Sequence, residues 1–235
     1  MRSDLPGRTP RYPTRPGVVL FDLDGTLSDS APGILASLRH AFTTNGLPPL
    51  SPEIERAILG PPFYESLPPL IEDVPLADVI SAYREHYGSI GMFDTAPYAG
   101  VRMLLETLTG SGAVVAVATS KPEHYAVPIV EFLGLADLVA TVGGDELDGS
   151  LPTKALVIDK VLARLGRPPA SELVMVGDRS HDVVGAREHG IASFGAAWGY
   201  ALPGELEAAG PELICATPGD VARALAVDGS GAAAS

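Results

Sequence analysis

Three short apolar runs in the chain each stop at a polar cluster. They are residues 18–21, 113–118 and 173–176, and the polar residues that follow them are Asp22, Thr119-Ser120 and Asp178. A short continuous apolar run is typical of a strand that is buried on both faces of a parallel sheet. Weaker runs of the same kind lie at residues 138–142, 191–194 and 213–216.

Stretches of helical length separate these runs, at residues 101–109, 123–133, 153–165 and 182–189. Strands that alternate with helices predict an α/β fold, in which helices cover both faces of a Rossmann-like parallel sheet. In such sheets the binding site lies beyond the carboxyl ends of the strands, which is where the three polar clusters fall. We therefore expect the function to reside at that edge.

One interval breaks the alternation. Residues 29–98 show helical periodicity, as in Ile34-Leu35-Leu38-Phe42 and Val79-Ile80-Tyr83-Tyr87, but no convincing strand. This pattern predicts a helical cap at residues 29–96, inserted after the first strand and hinged near 28–30 and 93–100. The core domain would then comprise residues 17–28 and 97–227. Residues 1–16, with prolines and arginines, and the Gly/Ala/Ser-rich residues 228–235 are expected to be unstructured tails.

Composition narrows the classes of partner. The 235 residues include 16 Lys+Arg and 29 Asp+Glu, a formal net charge of −13, which argues against binding to a nucleic-acid polymer. No apolar run approaches the roughly 20 residues that span a bilayer, so no membrane partner is expected. The single cysteine, Cys215, excludes an intramolecular disulfide and is compatible with a reducing cytoplasm.

Four carboxylates follow two of the predicted strands. Asp22 and Asp24 come after the first, and Asp178 and Asp182 come after the run at residues 173–176. If all four converge, their mutual repulsion would raise their pKa values and oppose folding unless a cation lies among them. A hard divalent ion with oxygen ligands, Mg²⁺, would meet that need.

Other strand ends carry groups that suit a phosphate. Thr119 and Ser120 offer hydroxyl and backbone N–H groups ahead of a helix, and Lys154 stands at the start of another helix. Gly25 allows the backbone after Asp24 to turn so that amides can face an anion. Together with a metal, these groups predict phosphoryl chemistry.

The order of these residues resembles the haloacid dehalogenase-like (HAD) phosphohydrolase superfamily. The motifs are Asp22-Leu23-Asp24-Gly25-Thr26, then Thr119, then Lys154, then Gly177-Asp178-Arg179-Ser180-His181-Asp182. The helical insert after the first motif is similar to the cap of that superfamily. Further stretches resemble its branch of phosphoglycolate phosphatases and 5'-nucleotidases, namely Gly60-Pro61-Pro62, Ala118-Thr119-Ser120-Lys121-Pro122-Glu123 and Trp198-Gly199-Tyr200.

The resemblance implies a role for each motif residue. Asp22 would be the nucleophile, and Asp24 would protonate the leaving group and later deprotonate water. Mg²⁺ would be bound by Asp22, the Asp24 carbonyl and Asp178. Asp182 would order the waters of the metal or the Lys154 ammonium. The phosphate would be bound by Gly25, Thr119, Ser120 and Lys154. Because the second aspartate is present, the resemblance implies hydrolysis of a phosphate ester rather than dehalogenation.

Several questions stay open at this level. Tyr64, Arg84 and Tyr87 of the cap are candidates for substrate contact, although such residues on helices more often belong to the core or surface. His181 is expected to be a surface residue or one behind the site. The substrate would be a small phosphorylated metabolite, a nucleoside 5'-monophosphate or 2-phosphoglycolate. A sugar-phosphate mutase and a regulatory scaffold are the alternatives, and the protein would be a monomer or weak homodimer.

Overall fold

The computed structural model describes residues 11–61, 63–147, 150–151 and 153–225, and strands alternate with helices from residue 96 onward. The strands are β1 (Val18–Phe21), β2 (Ser28–Asp29), β3 (Ala96–Pro97), β4 (Val114–Pro122), β5 (Thr141–Asp145), β6 (Leu173–Gly177), β7 (Ala192–Ala196) and β8 (Leu213–Cys215). The helices are α1 (Ala31–Thr44), α2 (Pro52–Ala57), α3 (Phe63–Ser66), α4 (Leu76–Ser89), α5 (Val101–Gly110), α6 (Glu123–Phe132), α7 (Lys154–Arg164), α8 (Ser180–Glu188), α9 (Glu205–Ala209) and α10 (Pro218–Ala224).

Six of these strands form one parallel sheet in the order β5-β4-β1-β6-β7-β8. The first strand therefore lies at the centre, between β4 and β6. Phe21, its last residue, is level with Val117 of β4 and with Val176 of β6. The predicted α/β class with a parallel sheet is confirmed.

Alternate residues of the central strands enter two different cores. Val18 and Leu20 pack with side chains of α7 and α8, whereas Val19 and Phe21 pack toward α5, α6 and α10. This division follows from the pleat of a strand, which directs successive side chains to opposite faces. The second core is continuous with the apolar residues of the cap helices, including Leu38 and Tyr87.

The helices between the first strand and α5 pack over the carboxyl edge of the sheet. Helices α1 and α4 lie against each other, and α1 presents Ile34, Leu38 and Phe42 on its buried face. The chain leaves and re-enters the core through an antiparallel ribbon, in which Ser28 pairs with Pro97 and Asp29 with Ala96. The sequence pattern did not predict this ribbon, because two-residue strands leave no periodicity to detect.

Two details of the prediction need correction. The apolar run at 138–142 is only partly a strand: residues Ala136–Leu138 form a 3-10 turn and β5 begins at Thr141. Much of β5 is Gly143-Gly144, which carries no apolar signal. Within the predicted tail 1–16, Tyr12 packs edge-on against Phe194, with ring centroids 4.8 Å apart, and Pro16 is buried. Residues 1–10 and the predicted tail 228–235 lie outside the described residues.

None of the helices described here combines the length and the apolar character needed to cross a bilayer.

Candidate active site

The ends of β1, β4 and β6 bring the predicted motif residues to one place. Since Phe21 is level with Val117 and Val176, Asp22 lies between the next residues of both neighbouring strands. The Asp22 backbone N–H donates to the Val176 carbonyl at 2.9 Å, which holds the loop against β6. The carboxylate is buried, with 5% of the residue exposed. The site is therefore built on the rigid centre of the sheet.

Lys154 lies between two carboxylates at this edge. Its ammonium is 2.9 Å from Asp22 Oδ1 and 2.8 Å from Asp182 Oδ1, and it also donates to the Ala118 carbonyl at 3.0 Å. Burial alone would lower the pKa of Lys154, but Asp182 and Asp22 together raise it above its ordinary value. The same contact lowers the pKa of Asp182, although burial opposes it. Lys154 therefore remains a cation inside the protein.

Among the described residues, no cation forms an ion pair with the buried Asp178. Its oxygens accept from the Thr26 hydroxyl at 3.1 Å and from the Tyr200 backbone N–H at 2.7 Å. Burial, with the charges of Asp182 and Asp22, raises the pKa of Asp178 well above its usual range. Burial also raises the pKa of Asp22 to about 6, against the opposing effect of Lys154.

The raised pKa values of Asp178 and Asp22 indicate an excess of negative charge near Asp178. Carboxylate and carbonyl oxygens are the ligands that Mg²⁺ prefers in proteins. The donor set of Asp22, Asp178 and the Asp24 backbone carbonyl therefore fits a hard divalent cation, which would relieve the repulsion between the two buried acids.

A second group of possible ligands, Asp22, His181 and Asp182, has ligand atoms within 4.8 Å of one another. The Lys154 ammonium already bridges the two carboxylates of this group, which leaves little need for a metal there. Burial lowers the pKa of His181, and its Nε2 has no hydrogen-bond partner among the described residues. The oxygen donors on the Asp178 side therefore fit a divalent cation better than this second group does.

The structure differs from the prediction that Gly25 binds the phosphate. The Gly25 N–H donates to the Ser28 carbonyl at 2.8 Å, so this amide is already used within the loop and does not face a phosphate. Glycine is required here for another reason. Its φ is +81°, and a Cβ would overlap the Asp178 carboxylate. The residue therefore permits the close approach of the first motif to Asp178.

Lys121 is a site residue that the sequence interpretation missed. Its ammonium lies 3.0 Å from Asp24 Oδ2 and 2.7 Å from the Tyr87 hydroxyl, and its side chain is 6% exposed. A signal was present, because Lys121 lies within the stretch of residues 118–123 that resembles the family branch and follows Thr119 and Ser120 directly. The backbone N–H of Lys121 donates to Thr119 Oγ1 at 3.2 Å.

A cleft of about 820 Å³, counted to its open mouth, lies between this edge and the cap. Aromatic and aliphatic side chains form most of its wall, and Asp24, Ser120 and Lys121 lie at its floor. The apolar lining comprises Ile34, Ile58, Pro61, Phe63, Tyr64, Ile80, Tyr83, Tyr87, Pro122 and Tyr125. Thr119 is buried and Ser120 half-buried at the end of β4.

The three cap candidates have different positions in this cleft. Tyr87 is buried and accepts from Lys121. Arg84 and Tyr64 both donate to the Leu147 carbonyl, Tyr64 at 3.3 Å, and so connect the cap to the segment after β5. Arg84 also donates to the Tyr64 hydroxyl at 3.1 Å. These two residues line the cleft but already have protein partners.

Trp198 and Tyr200 form hydrogen bonds to the loops that carry the site residues. The indole N–H of Trp198 donates to the Thr26 carbonyl at 3.0 Å. The Tyr200 hydroxyl donates to Asp29 Oδ1 at 2.8 Å and accepts from the backbone N–H groups of Ser30 and Ala31. Tyr200 thus contacts both Asp178 and the start of the first cap helix.

Glu205 stabilises the loop that follows Asp178. Its carboxylate accepts from the N–H groups of Ser180 and Leu202 and from Arg179. Burial would raise the pKa of Glu205, but these donors lower it from 4.5 to about 2. The carboxylate therefore contributes stability that is fully present above pH 4.5 and is lost as the pH falls toward 2.

We expect Glu205→Gln to destabilise the protein by about 1–3 kcal/mol at pH 7, because charge-assisted hydrogen bonds are lost. The difference from wild type should shrink as the pH falls below about 4, where the wild-type carboxylate begins to lose its advantage. Urea unfolding across this pH range measures it. Glu207→Gln, at an exposed position of the same helix, is the control. A gap that is constant with pH would contradict the assignment.

Comparison with known proteins agrees with this geometry. Residues 19–196 match the family described as haloacid dehalogenase-like hydrolases. The chain belongs to this family. The resemblance to this family inferred from the motifs is thereby confirmed.

Individual relatives carry several names. The tyrosine-protein kinase PtkA of Mycobacterium tuberculosis is 40% identical over 199 residues, which are 85% of this chain and 66% of PtkA. A 5'-nucleotidase of Pseudomonas aeruginosa is 33% identical over 88% of this chain and 92% of its own. A phosphoglycolate phosphatase of Xylella fastidiosa is 32% identical over 83% of this chain and 86% of its own. The chain thus spans slightly less than two thirds of PtkA.

Among solved structures, a predicted phosphatase from Clostridium acetobutylicum superposes with a TM-score of 0.83. It is 32% identical, and the match covers 89% of this chain and 97% of that one. The family members with this fold therefore include phosphatases.

Proposed function

We propose that this haloacid dehalogenase-like hydrolase is a Mg²⁺-dependent phosphomonoesterase. The observation that carries the proposal is the arrangement around Asp22. One oxygen of this buried carboxylate contacts the Lys154 ammonium, and Asp178, which no cation neutralises among the described residues, lies nearby. A carboxylate nucleophile held by a fixed ammonium, with a second buried carboxylate whose charge a metal would neutralise, is suited to phosphoryl transfer.

The first step forms a bond between an Asp22 oxygen and phosphorus while the bond from phosphorus to the ester oxygen breaks. Asp24 donates its proton to the departing alkoxide, which leaves as an alcohol. Asp24 then takes a proton from water, the hydroxide attacks the aspartyl phosphate, and inorganic phosphate and free Asp22 are released. Thr119 and Ser120 hold the phosphoryl oxygens during both steps, and Lys154, whose donors already face Asp22, Asp182 and the Ala118 carbonyl, contributes positive charge beside them.

Asp22, Asp178 and the Asp24 carbonyl would hold Mg²⁺, which supplies charge neutralisation for the phosphoryl oxygens when bound. With a net charge of −13, the protein as a whole repels anionic substrates, so attraction must be local. The Lys154 ammonium, 2.9 Å from Asp22 Oδ1, supplies positive charge at the nucleophile.

The cleft supports a nucleoside 5'-monophosphate as the substrate rather than 2-phosphoglycolate. Its wall is mainly aromatic and aliphatic, which suits a nucleobase and ribose. The small anion 2-phosphoglycolate needs a cation for its carboxylate, yet Lys121 is paired with Asp24, and Arg84 contacts the Leu147 carbonyl.

A phosphate-release screen with purified protein and Mg²⁺ tests this proposal, with nucleoside 5'-monophosphates and 2-phosphoglycolate as the two main arms. We expect a higher kcat/KM for the nucleotides, and no release by Asp22→Asn with any substrate. Higher kcat/KM for 2-phosphoglycolate would overturn the substrate assignment. Absence of phosphate release from every ester tested would overturn the phosphatase assignment.

Three other functions give different results in the same assay. A mutase would show a burst followed by slow phosphate release, because its phosphoenzyme must be protected from water. A regulatory scaffold would show no turnover that depends on Asp22. The name of the mycobacterial relative suggests a further arm, with ATP and a tyrosine-containing peptide, in which phosphate appears on the peptide rather than in solution.

A further inference from the structure

We propose that Lys121 is a positioning residue that makes the orientation of Asp24 depend on the cap. This inference rests on the proposed function, because it assigns Asp24 the proton transfer to and from the leaving group. It adds a residue and a coupling that the motif interpretation does not contain. The evidence is a chain of contacts from the cap helix α4, through Lys121, to Asp24.

The first contact is between Lys121 and Asp24. Lys121 Nζ lies 3.0 Å from Asp24 Oδ2, and only 6% and 14% of the two side chains are exposed. An ion pair at such a largely buried position attracts the carboxylate strongly and restricts its rotation. Lys121 itself is held by β4, where Pro122 pairs with Asp145 of β5. The ammonium is therefore a fixed point against which Asp24 is oriented.

The second oxygen of Asp24 is in a different state. Asp24 Oδ1 is buried and has no hydrogen-bond partner among the described residues. Because Lys121 occupies Oδ2, Oδ1 is the oxygen left to exchange a proton with the ester oxygen. The ion pair thus decides which carboxylate oxygen can reach the substrate.

The second contact links Lys121 to the cap. The Lys121 ammonium is 2.7 Å from the Tyr87 hydroxyl and 4.5 Å from the centre of the Tyr87 ring. Tyr87 belongs to α4, where its ring stacks on Tyr83 at 5.2 Å. It also meets Tyr125 of the core helix α6 edge-on at 5.4 Å. A movement of α4 would therefore move Tyr87 and change its contact with Lys121.

Both contacts matter to a buried ammonium. Lys121 offers three N–H donors, and Tyr87 and Asp24 accept two of them inside the protein. If the cap moves away, the ammonium loses the Tyr87 hydroxyl and ring and becomes hydrated, and its hold on Asp24 weakens. The acid is then correctly oriented only when the cap is closed over the substrate, as lids generally complete catalytic sites.

Leaving-group chemistry separates this role from a structural one. An alkyl ester, such as a nucleoside 5'-monophosphate, needs a proton on its leaving oxygen, whereas 4-nitrophenyl phosphate releases a stable anion without one. Lys121→Met should lower kcat for the alkyl ester by about 10²-fold, the size of a lost general-acid contribution. The loss on 4-nitrophenyl phosphate should stay within about 3-fold. A merely structural lysine would affect both substrates alike.

Tyr87→Phe is the second variant, since it keeps the ring and removes only the hydroxyl. It should show the same selective loss on the alkyl ester, at roughly 3–10-fold, and should decide the matter if Lys121→Met does not fold. In an Asp24→Asn background, Lys121→Met should add no further alkyl-specific loss. Arg167→Met, which breaks an exposed ion pair with Asp159, is the control and should leave both rates unchanged.

The two proposals fail in different ways. If wild type releases no phosphate from either ester, the proposed function fails. If wild type is active and Lys121→Met and Tyr87→Phe lower both rates equally, or neither rate, the positioning role is overturned while the phosphatase remains.

Discussion

Replacing Asp22 with Asn should abolish phosphate release while the protein stays folded. The variant removes the oxygen that attacks phosphorus, and we expect kcat to fall by at least about 10³-fold on every substrate. The fold should persist because an amide oxygen can still accept from Lys154 and from the Leu23 N–H, which donates to Asp22 at 2.8 Å. Lys154 also keeps its second carboxylate, Asp182, at 2.8 Å.

Steady-state phosphate release and thermal unfolding of the same samples measure both parts of this prediction. Asp159→Asn, on the surface of α7, is a matched control that should keep full activity. Retained turnover in a well-folded Asp22→Asn would show that another group attacks phosphorus. Loss of turnover together with loss of folding would leave Asp22→Ser, assayed in the same way, to decide.

Removal of divalent metal should have an equally large effect. With EDTA in excess we expect no detectable turnover, and Mg²⁺ in excess of the chelator should restore it. The physical reason is the pair of buried acids, Asp22 and Asp178, whose pKa values are raised by burial. Mg²⁺ should also raise the unfolding temperature of wild type, because it binds the folded site and relieves the repulsion there.

Asp178→Asn makes this prediction sharper. An asparagine can accept from the Tyr200 N–H and donate to the Thr26 hydroxyl, so both local contacts survive. Without metal, the variant should be more stable than wild type, since one buried acid is gone. Its unfolding temperature should respond less to Mg²⁺, and its activity should need more of it. An identical Mg²⁺ response in both proteins would remove Asp178 from the metal site.

The sheet and the convergence of the motifs could be predicted because each apolar run that forms a central strand is followed directly by the polar residues of a motif. Val18-Val19-Leu20-Phe21 is apolar at every position, as a strand buried on both faces requires, and Asp22 follows directly. The same pattern indicated β4 and β6. Parallel pairing of β1 with both of them then brings their ends together without further information.

Other features could not be obtained in this way. The pairing of Lys121 with Tyr87 joins residues 34 positions apart, and helical periodicity does not say which core side chain the buried face of α4 meets. The amide of Gly25 was predicted to face an anion, but its acceptor, Ser28, was outside the motif. In both cases the answer depends on three-dimensional packing between segments whose patterns are individually clear.

The apolar interior that runs from the sheet into the helices above it limits how this protein can be altered. Phe21 of β1, Leu38 of α1 and Tyr87 of α4 belong to one continuous set of buried side chains. Deletion of residues 31–93 would therefore expose apolar side chains of the sheet to water. A chimaera that receives this segment from a relative should fold only if the relative's residues that pack against the segment are transferred with it.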